Sequence, residues 1–169
     1  YLVSKYEADS GVMISASHNP VEFNGIKLFS STGYKLNDEI EEEIEALILD
    51  NPQDIPLKEG IELGRIYRRR SAPYDYINHI KSTLAGDLKG MRVAVDCANG
   101  SASTTAETLF EELGAEVAVF HAEPDGTNIN KDCGSTHIES LMEYVRQNDC
   151  QLGVAFDGDA DRCLAVDEN

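Results

Sequence analysis

The chain has 169 residues, and its 14 Lys and Arg against 31 Asp and Glu give a formal net charge of −17 at pH 7. This length suits one ordinary domain or two small ones and is enough to bury a hydrophobic core. The strong acidity argues against a protein that binds nucleic acids or anionic membranes nonspecifically, because such proteins carry basic patches. No apolar run approaches the roughly 20 residues that a membrane-spanning helix needs. We therefore expect neither nucleic acid nor membrane as a partner.

The four cysteines, at positions 97, 133, 150 and 163, are widely spaced and form no CxxC pair. This pattern is a poor framework for a zinc site or for disulfides, so we expect reduced thiols in a cytoplasmic protein. The chain begins at Tyr1 and ends at Asn169 just after an apolar run. We therefore expect a piece of a longer protein.

The first part of the chain shows two short strand patterns and one helical pattern. Gly11–Ser15 is a short apolar run that is compatible with a buried strand, and Ile26–Phe29 predicts a second strand after the turn signal Asn24-Gly25. Asn37 or Asp38 is a suitable N-cap for a following helix. One face of that helix is apolar, so we expect it to be buried; its residues are Ile40, Ile44, Leu47 and Ile48.

A different pattern follows a second predicted helix, Ser71–Gly86, which has Pro73 in its first turn. Strands and helices then alternate: strand Met91–Val95, helix Thr104–Leu113, strand Ala115–Phe120, helix Ile138–Gln147, and strands Gln151–Phe156 and Cys163–Val166. This alternation is typical of α/β layering with a largely parallel sheet. We predict two related three-layer α/β modules with mixed, largely parallel sheets, both incomplete, over residues 1–72 and 73–169.

The loop Asp157-Gly158-Asp159-Ala160-Asp161-Arg162 carries three carboxylates at i, i+2 and i+4. The carboxylates repel one another unless a cation lies among them, and the small residues between them let the backbone aim all three at one point. Ligation by oxygen alone suits Mg²⁺ or Ca²⁺. Arg162 adds a bidentate anion binder beside the metal, which indicates a phosphate ligand.

Two alternatives apply to this acidic loop. The D-x-D-x-D pattern also opens an EF-hand loop, and Glu168 falls at its twelfth position. However, the sixth position needs glycine and holds Arg162, and the flanking segments are predicted as strands where an EF-hand has helices. The second alternative is an acidic turn without a ligand, which leaves the repulsion uncompensated.

The loop Ser15-Ala16-Ser17-His18-Asn19-Pro20 places a hydroxyl at a turn after a predicted strand. Ser17 is the best candidate for an esterified hydroxyl, and His18 and Asn19 can hydrogen-bond to oxygens around it. Lys27 on the next strand can pair with a phosphate. Alone, this motif could be a plain turn, and no G-x-S-x-G elbow of a hydrolase is present.

Together, the two loops are more informative than either one. A phosphoserine at Ser17 would offer an anionic oxygen to a metal held by Asp157, Asp159 and Asp161, and phosphoryl transfer requires this kind of positioning and charge neutralisation. The loops are about 140 residues apart, so we expect the site to lie between two modules.

SASHNP, NGIK (Asn24–Lys27) and DGDADR resemble the active-site loops of the α-D-phosphohexomutases, and the resemblance keeps the loop order over essentially the whole chain. Within that superfamily the chain is most similar to the bacterial branch that acts on glucosamine phosphates. The segments that carry this similarity are Gly11–Phe29, Val95–Gly100 and Pro124–His137. The resemblance implies a four-domain enzyme, of which residues 1–72 are the C-terminal part of domain 1 and residues 73–169 are a linking helix and the N-terminal part of domain 2.

The resemblance also implies the roles of the site residues. By this resemblance, Ser17 would be phosphorylated in the active enzyme, and one Mg²⁺ would be bound by Asp157, Asp159 and Asp161 together with that phosphoserine. His18, Lys27 and Arg162 match catalytic residues that line the site, while Ser15 and Asn19 support it. Ala160 replaces a glycine that is usual in the family, and we expect alanine to fit if the position does not need a positive φ.

The implied reaction is the conversion of glucosamine 6-phosphate to glucosamine 1-phosphate and back, through phosphoserine and a glucosamine 1,6-bisphosphate intermediate. This reaction belongs to the amino-sugar metabolism that feeds peptidoglycan precursor synthesis. Enzymes of this branch are often homodimers, so a homodimer of the full-length protein is implied. The alternatives are a mutase of mannose or glucose phosphates and, for the isolated chain, an inactive module that binds metal or phosphosugar.

Overall fold

The structure is a computed structural model that describes all 169 residues. The chain divides into two compact units, the first formed by Tyr1–Met13 and Lys27–Ala72 and the second by Ile14–Ile26 and Pro73–Asn169. The α/β fold class is confirmed, because helices and mixed parallel and antiparallel strands make up the chain. None of the helices combines the length and the apolar character that crossing a membrane requires.

The first unit is built around a small sheet. Strands β1 (Ser10–Ile14) and β2 (Ile26–Ser30) pair in a two-stranded sheet, and the helices α1 (Leu2–Lys5) and α2 (Asp38–Leu49) flank them in the sequence. Helix α2 begins after Asn37, as predicted, although the Asn37 side chain makes no capping hydrogen bond.

The apolar face of α2 is not buried, and our prediction that it would be is wrong. No residue of α2 is buried. On its apolar face, Ile40, Leu47 and Ile48 are 43, 43 and 57% exposed, and Ile44 is half-buried. The periodicity correctly indicated a helix, but burial also needs an apolar surface opposite the helix. The two strands of this unit do not provide such a surface for α2.

The second unit contains a four-stranded sheet and three helices. The helix α3 (Ala72–Thr83) begins at the boundary of the two units and buries Ile77. The remaining elements are, in chain order, β3 (Arg92–Asp96), α4 (Ala106–Glu112), β4 (Glu116–Phe120), α5 (Glu139–Gln147), β5 (Leu152–Phe156) and β6 (Cys163–Val166). Their bounds agree with the predicted elements to within about two residues. A 3₁₀ segment, Ser101–Thr104, precedes α4 and includes Thr104, where that helix was predicted to begin.

The sheet has the order β4-β3-β5-β6, with β3 parallel to both of its neighbours and β5 antiparallel to β6. Strand β3 is central, and Val93, Ala94 and Val95 are fully buried, as expected for a strand covered on both faces. Successive side chains of a strand point to opposite faces. Val93 and Val95 accordingly pack in one core with Ala106 of α4, and Ala94 packs in another with Val145 of α5. The second unit is therefore a three-layer α/β/α sandwich.

This topology determines where ligand-binding loops can form. The segments after Asp96 and Phe156 leave the carboxyl ends of two adjacent parallel strands, so they emerge at the same edge of the sheet. Ligands of open α/β sheets bind at that edge. The acidic loop follows β5 directly, so it lies there.

Candidate active site

The Ser17 loop connects β1 to β2 and belongs to the second unit. The Ser15 N–H donates to the Gly25 carbonyl (2.9 Å) and closes the base of the loop. Ser17 itself has a φ of +55°, in the left-handed region that residues other than glycine rarely adopt. Its backbone N–H donates to Oγ of Ser15 (2.9 Å), which helps to hold this conformation. The nucleophile candidate is thus the strained residue of a tight turn.

The acidic loop, residues 157–162, is the connection of an antiparallel hairpin, because Phe156 of β5 pairs with Cys163 of β6. Inside it, the Ala160 N–H donates to the Asp157 carbonyl (3.0 Å), and the Arg162 N–H donates to Asp157 Oδ1 (3.2 Å). These bonds curl the loop around the Asp157 side chain. The local sequence, with small residues between the carboxylates, allows this curl.

The three aspartates of this loop converge. Asp157, Asp159 and Asp161 each place a carboxylate oxygen within 4.8 Å of the others. Asp157 and Asp159 are only 1% and 9% exposed, so water screens their mutual repulsion poorly. A set made only of carboxylate oxygens at this spacing is the donor chemistry of a hard divalent cation. The residues present therefore fit Mg²⁺.

Ala160 departs from our expectation. Its φ is +59°, so the position does lie in the left-handed region, where an alanine Cβ is strained. We expected alanine to fit if this position did not need a positive φ, and the position does have one. The loop nevertheless keeps its three carboxylates together.

The two loops meet within the second unit. The Ser17 hydroxyl donates to Asp157 Oδ2 at 2.7 Å. Gly158 lies against the other side of Ser17, and a Cβ on this glycine would be only 2.5 Å from the Ser17 carbonyl oxygen. Such an approach is possible only for glycine. The serine hydroxyl thus lies at the edge of the carboxylate cluster, where a phosphate on it would touch a bound cation.

His18 and Arg162 form the hydrogen-bond-donating side of the site. Arg162 Nη1 donates to His18 Nδ1 at 2.8 Å. Because a guanidinium cannot accept a hydrogen bond, the His18 ring must accept at Nδ1 and carry its proton on Nε2. Arg162 Nε also lies 3.9 Å from Asp157 Oδ2 and 4.0 Å from Asp161 Oδ1, and the arginine side chain is half exposed. Both side chains keep N–H groups that can donate to an incoming anion.

The structure places the remaining predicted residues as follows. Asn19 lies in the Ser17 loop, where its carbonyl accepts a hydrogen bond from Asn130 Nδ2 (3.0 Å). Lys27 lies on β2 in the first unit. The structure thus brings Ser15, Ser17, His18, Asn19, Arg162 and the three aspartates into one unit, and the roles of all of them stay predictions.

Sequence reasoning missed Asn130. Its side-chain amide donates to the carbonyls of Ser17 (2.8 Å) and Asn19 (3.0 Å), and the residue is 8% exposed. No local spacing reveals these contacts, because the partners are more than 110 positions away. The available signal was its place in the polar loop after β4, at the carboxyl edge of a predicted parallel sheet.

A second group of polar side chains, Asp96, His121 and Cys133, braces the same edge of the sheet. The buried Asp96 accepts backbone N–H bonds from Ala98 at Oδ1 and from Gly134 at Oδ2 (both 2.9 Å). His121 Nδ1 is 3.0 Å from Oδ2, but it is not oriented for a hydrogen bond. Burial, aided by the charge of Asp96, raises the pKa of the Cys133 thiol to about 11. Since its two oxygens accept from Ala98 in the loop after β3 and from Gly134 in the loop after β4, Asp96 fixes both loops.

The fold and the two loops together define an α/β unit of the phosphohexomutase type. Residues 74–169 match the description "Phosphoglucomutase/phosphomannomutase, alpha/beta/alpha domain II", and residues 1–54 match domain I of the same family. The chain belongs to the phosphoglucomutase/phosphomannomutase family.

Two curated relatives carry the same, narrower name within this family. The chain is 60% identical over 169 residues to a phosphoglucosamine mutase of Acetivibrio thermocellus, which covers 100% of this chain, and 59% identical over 169 residues to one of Clostridium botulinum, which covers 99%. In both cases the chain spans 38% of the relative's length.

Solved structures show the same fold. A putative phosphomannomutase of Thermus thermophilus superposes with a TM-score of 0.75 at 22% identity, over 98% of this chain and 38% of that one. A phosphoglucomutase/phosphomannomutase family protein of Burkholderia thailandensis superposes with a TM-score of 0.74 at 23% identity, over 95% of this chain and 34% of that one.

Proposed function

We propose that the protein to which this chain belongs is a phosphoglucosamine mutase, an isomerase that interconverts glucosamine 6-phosphate and glucosamine 1-phosphate. The observation that carries the proposal is the Ser17 hydroxyl, 2.7 Å from Asp157 in a cluster of three carboxylates. The 60% identity to a curated phosphoglucosamine mutase supports the choice of the amino sugar.

In this proposal, Ser17 carries a phosphoryl group in the active enzyme. The bond between phosphorus and Ser17 Oγ breaks as a bond forms to the free hydroxyl of the sugar phosphate, which gives glucosamine 1,6-bisphosphate. The proton of that hydroxyl leaves to a base that we do not assign. The bisphosphate reorients, and its other phosphoryl group returns to Ser17 Oγ by the reverse step.

The residues around Ser17 hold the transferring group. His18 Nε2–H and the Arg162 guanidinium donate to its peripheral oxygens, and the resemblance gives Lys27 the same role of orienting the group and stabilising its developing negative charge. In-line phosphoryl transfer depends mainly on such positioning and on stabilisation of the spreading negative charge. The hydrogen bond from Arg162 to His18 keeps Nε2 protonated and therefore able to donate.

We also propose one Mg²⁺ at Asp157, Asp159 and Asp161, whose carboxylates fit it in number and donor type. When bound, this ion neutralises charge on the phosphoryl group. Since the chain spans 38% of its relatives, we propose that the 169-residue chain alone binds Mg²⁺ weakly and does not turn over. The four unbridged cysteines support a cytoplasmic location, and the resemblance supports a homodimer of the full-length enzyme.

The test is the initial rate of the full-length enzyme on glucosamine 6-phosphate, with Mg²⁺ and a trace of the 1,6-bisphosphate. We expect Ser17→Ala to abolish turnover and protein phosphorylation, while a control at the exposed Ser31, Ser31→Ala, leaves both intact. Normal turnover by the Ser17→Ala enzyme would overturn the mechanism.

The second candidate function is a mutase of glucose or mannose phosphates, because the family description names phosphoglucomutase and phosphomannomutase. The same assay with glucose and mannose 6-phosphates separates the two. A higher kcat/KM for either neutral sugar would keep the mechanism and reject the amino-sugar specificity.

A further inference from the structure

We propose that Asn130 is a positioning residue that holds the Ser17 loop in the conformation required for phosphoryl transfer. The proposal rests on the proposed function of Ser17. In the Ser17 loop, the Asn130 side-chain amide donates only to backbone carbonyls. Asn130 therefore does not touch the reacting atoms.

The Asn130 amide joins two points of the turn. One Nδ2 donates to the carbonyl of Ser17 at 2.8 Å and to that of Asn19 at 3.0 Å. An amide nitrogen has two protons, so both bonds can be made at once. The two carbonyls bracket His18, whose ring contacts Arg162. A single side chain therefore fixes the backbone on both sides of the residue that follows the nucleophile.

Asn130 is itself rigidly placed. Its backbone N–H donates to the carbonyl of Ala98 (2.9 Å), and the Ala98 N–H donates in turn to Oδ1 of the buried Asp96 at the end of β3. Asn130 has a φ of +55°, a conformation that asparagine tolerates better than most residues. A continuous series of hydrogen bonds thus connects the central strand of the sheet to the Ser17 backbone.

The Ser17 loop needs this support. Ser17 has a left-handed backbone, which persists only where its surroundings enforce it. The Gly158 backbone packs against the Ser17 carbonyl and the Asn130 amide. A Cβ on Gly158 would be 2.5 Å from the Ser17 carbonyl oxygen and 2.9 Å from Asn130 Nδ2. Loss of the amide would leave two carbonyls without this donor and let the turn relax. Misplacement of a reacting group by about 1 Å can cost on the order of 100-fold in rate.

The experiment compares two aspartate substitutions in the full-length enzyme. Asn130→Asp keeps the shape but replaces the donor with oxygens that face two carbonyls. Asn128→Asp makes the same chemical change two residues away, where the amide donates to the Glu123 carbonyl (2.9 Å). We expect Asn130→Asp to lower kcat about 100-fold with KM for glucosamine 6-phosphate within twofold. We expect Asn128→Asp to keep kcat within about threefold of wild type.

A second variant removes the effect of the added charge. Asn130→Gly accepts the positive φ and lacks the amide, so we expect it to show the same split between kcat and KM. In both Asn130 variants, amide hydrogen exchange of residues 15–25 should speed up, while β3 stays protected. A general loss of stability would instead expose β3 as well and would overturn the positioning role.

The outcomes for this proposal and for the proposed function differ. If the wild-type enzyme shows no mutase activity, the proposed function fails, and hydrogen exchange in the Ser17 loop still tests the role of Asn130. If the wild type is active but Asn130→Gly keeps kcat within twofold and leaves exchange of residues 15–25 unchanged, the role of Asn130 is rejected.

Discussion

The Ser17 hydroxyl donates a hydrogen bond to Oδ2 of Asp157 at 2.7 Å, although 140 positions separate the two residues. A phosphate on Ser17 removes this donor and brings an anion against a carboxylate that is 1% exposed. At such a poorly screened position the repulsion is large unless a cation lies between the two groups. Phosphorylation of Ser17 and binding of a divalent cation should therefore be thermodynamically coupled.

The coupling can be measured by calorimetry of the full-length enzyme. We expect Mg²⁺ at about 100 times its dissociation constant to stabilise the Ser17-phosphorylated form by about 2.7 kcal/mol. The dephosphorylated form should gain less, because it lacks the phosphate oxygen as a ligand. Asp157→Asn should abolish most of the gain, whereas Asp149→Asn, an exposed carboxylate outside the loop, should not. Equal Mg²⁺ stabilisation of both phosphorylation states would contradict the coupling.

The left-handed backbone of Ala160 makes a prediction about stability. Ala160→Gly removes the Cβ strain of about 1–2 kcal/mol and adds the entropic cost of glycine, about 0.5–1 kcal/mol, so we expect a net gain of up to about 1.5 kcal/mol. Chemical denaturation measures it. Ala46→Gly inside α2 is the matched control and should lose about 0.5–1 kcal/mol. A loss of stability in Ala160→Gly would show that the φ of +59° is not strained.

The contact between Gly158 and Ser17 makes a prediction about activity. Gly158→Ala puts a Cβ 2.5 Å from the Ser17 carbonyl oxygen, and because that oxygen is backbone, the Ser17 turn must move. We expect kcat to fall by about 10- to 100-fold. Gly86→Ala is the control, since its Cβ would meet nothing within 4 Å. Unchanged turnover by Gly158→Ala would mean that the Ser17 turn can shift without effect on the proposed phosphoryl transfer.

The buried thiols predict how stability depends on pH. Burial raises the pKa of Cys97 to about 12 from its ordinary value of 9.0, and the charge of Asp96 adds to the effect. Between these values the unfolded chain has lost the proton that the folded chain keeps, so stability must fall as pH rises above about 9. Denaturation at pH 8, 9.5 and 10.5 measures the slope, which should be smaller in Cys97→Ala. If stability falls equally steeply with pH in Cys97→Ala, the loss of stability at alkaline pH comes from other groups.

Sequence patterns predicted the second unit well. Its strands are short apolar runs between turn residues, and its helices carry single apolar faces, so local periodicity was sufficient. The face of α2 containing Ile40 was predicted wrongly, because periodicity reports a helix but not whether a surface exists to cover it. The acidic loop could be recognised in the sequence because its three carboxylates lie within five residues. The contacts of Asn130 could not be predicted, because they depend on the tertiary fold.

The hairpin between β5 and β6 has a consequence for the order of folding. The three carboxylates are supplied by one short connection, so they assemble as soon as Phe156 pairs with Cys163. Ser17 must instead close a loop of 140 residues, which costs about 3 kcal/mol more in chain entropy than closing a loop of about five. We therefore expect the acidic loop to form as an early, local structure of the second unit, and we expect Ser17 to dock against it afterwards.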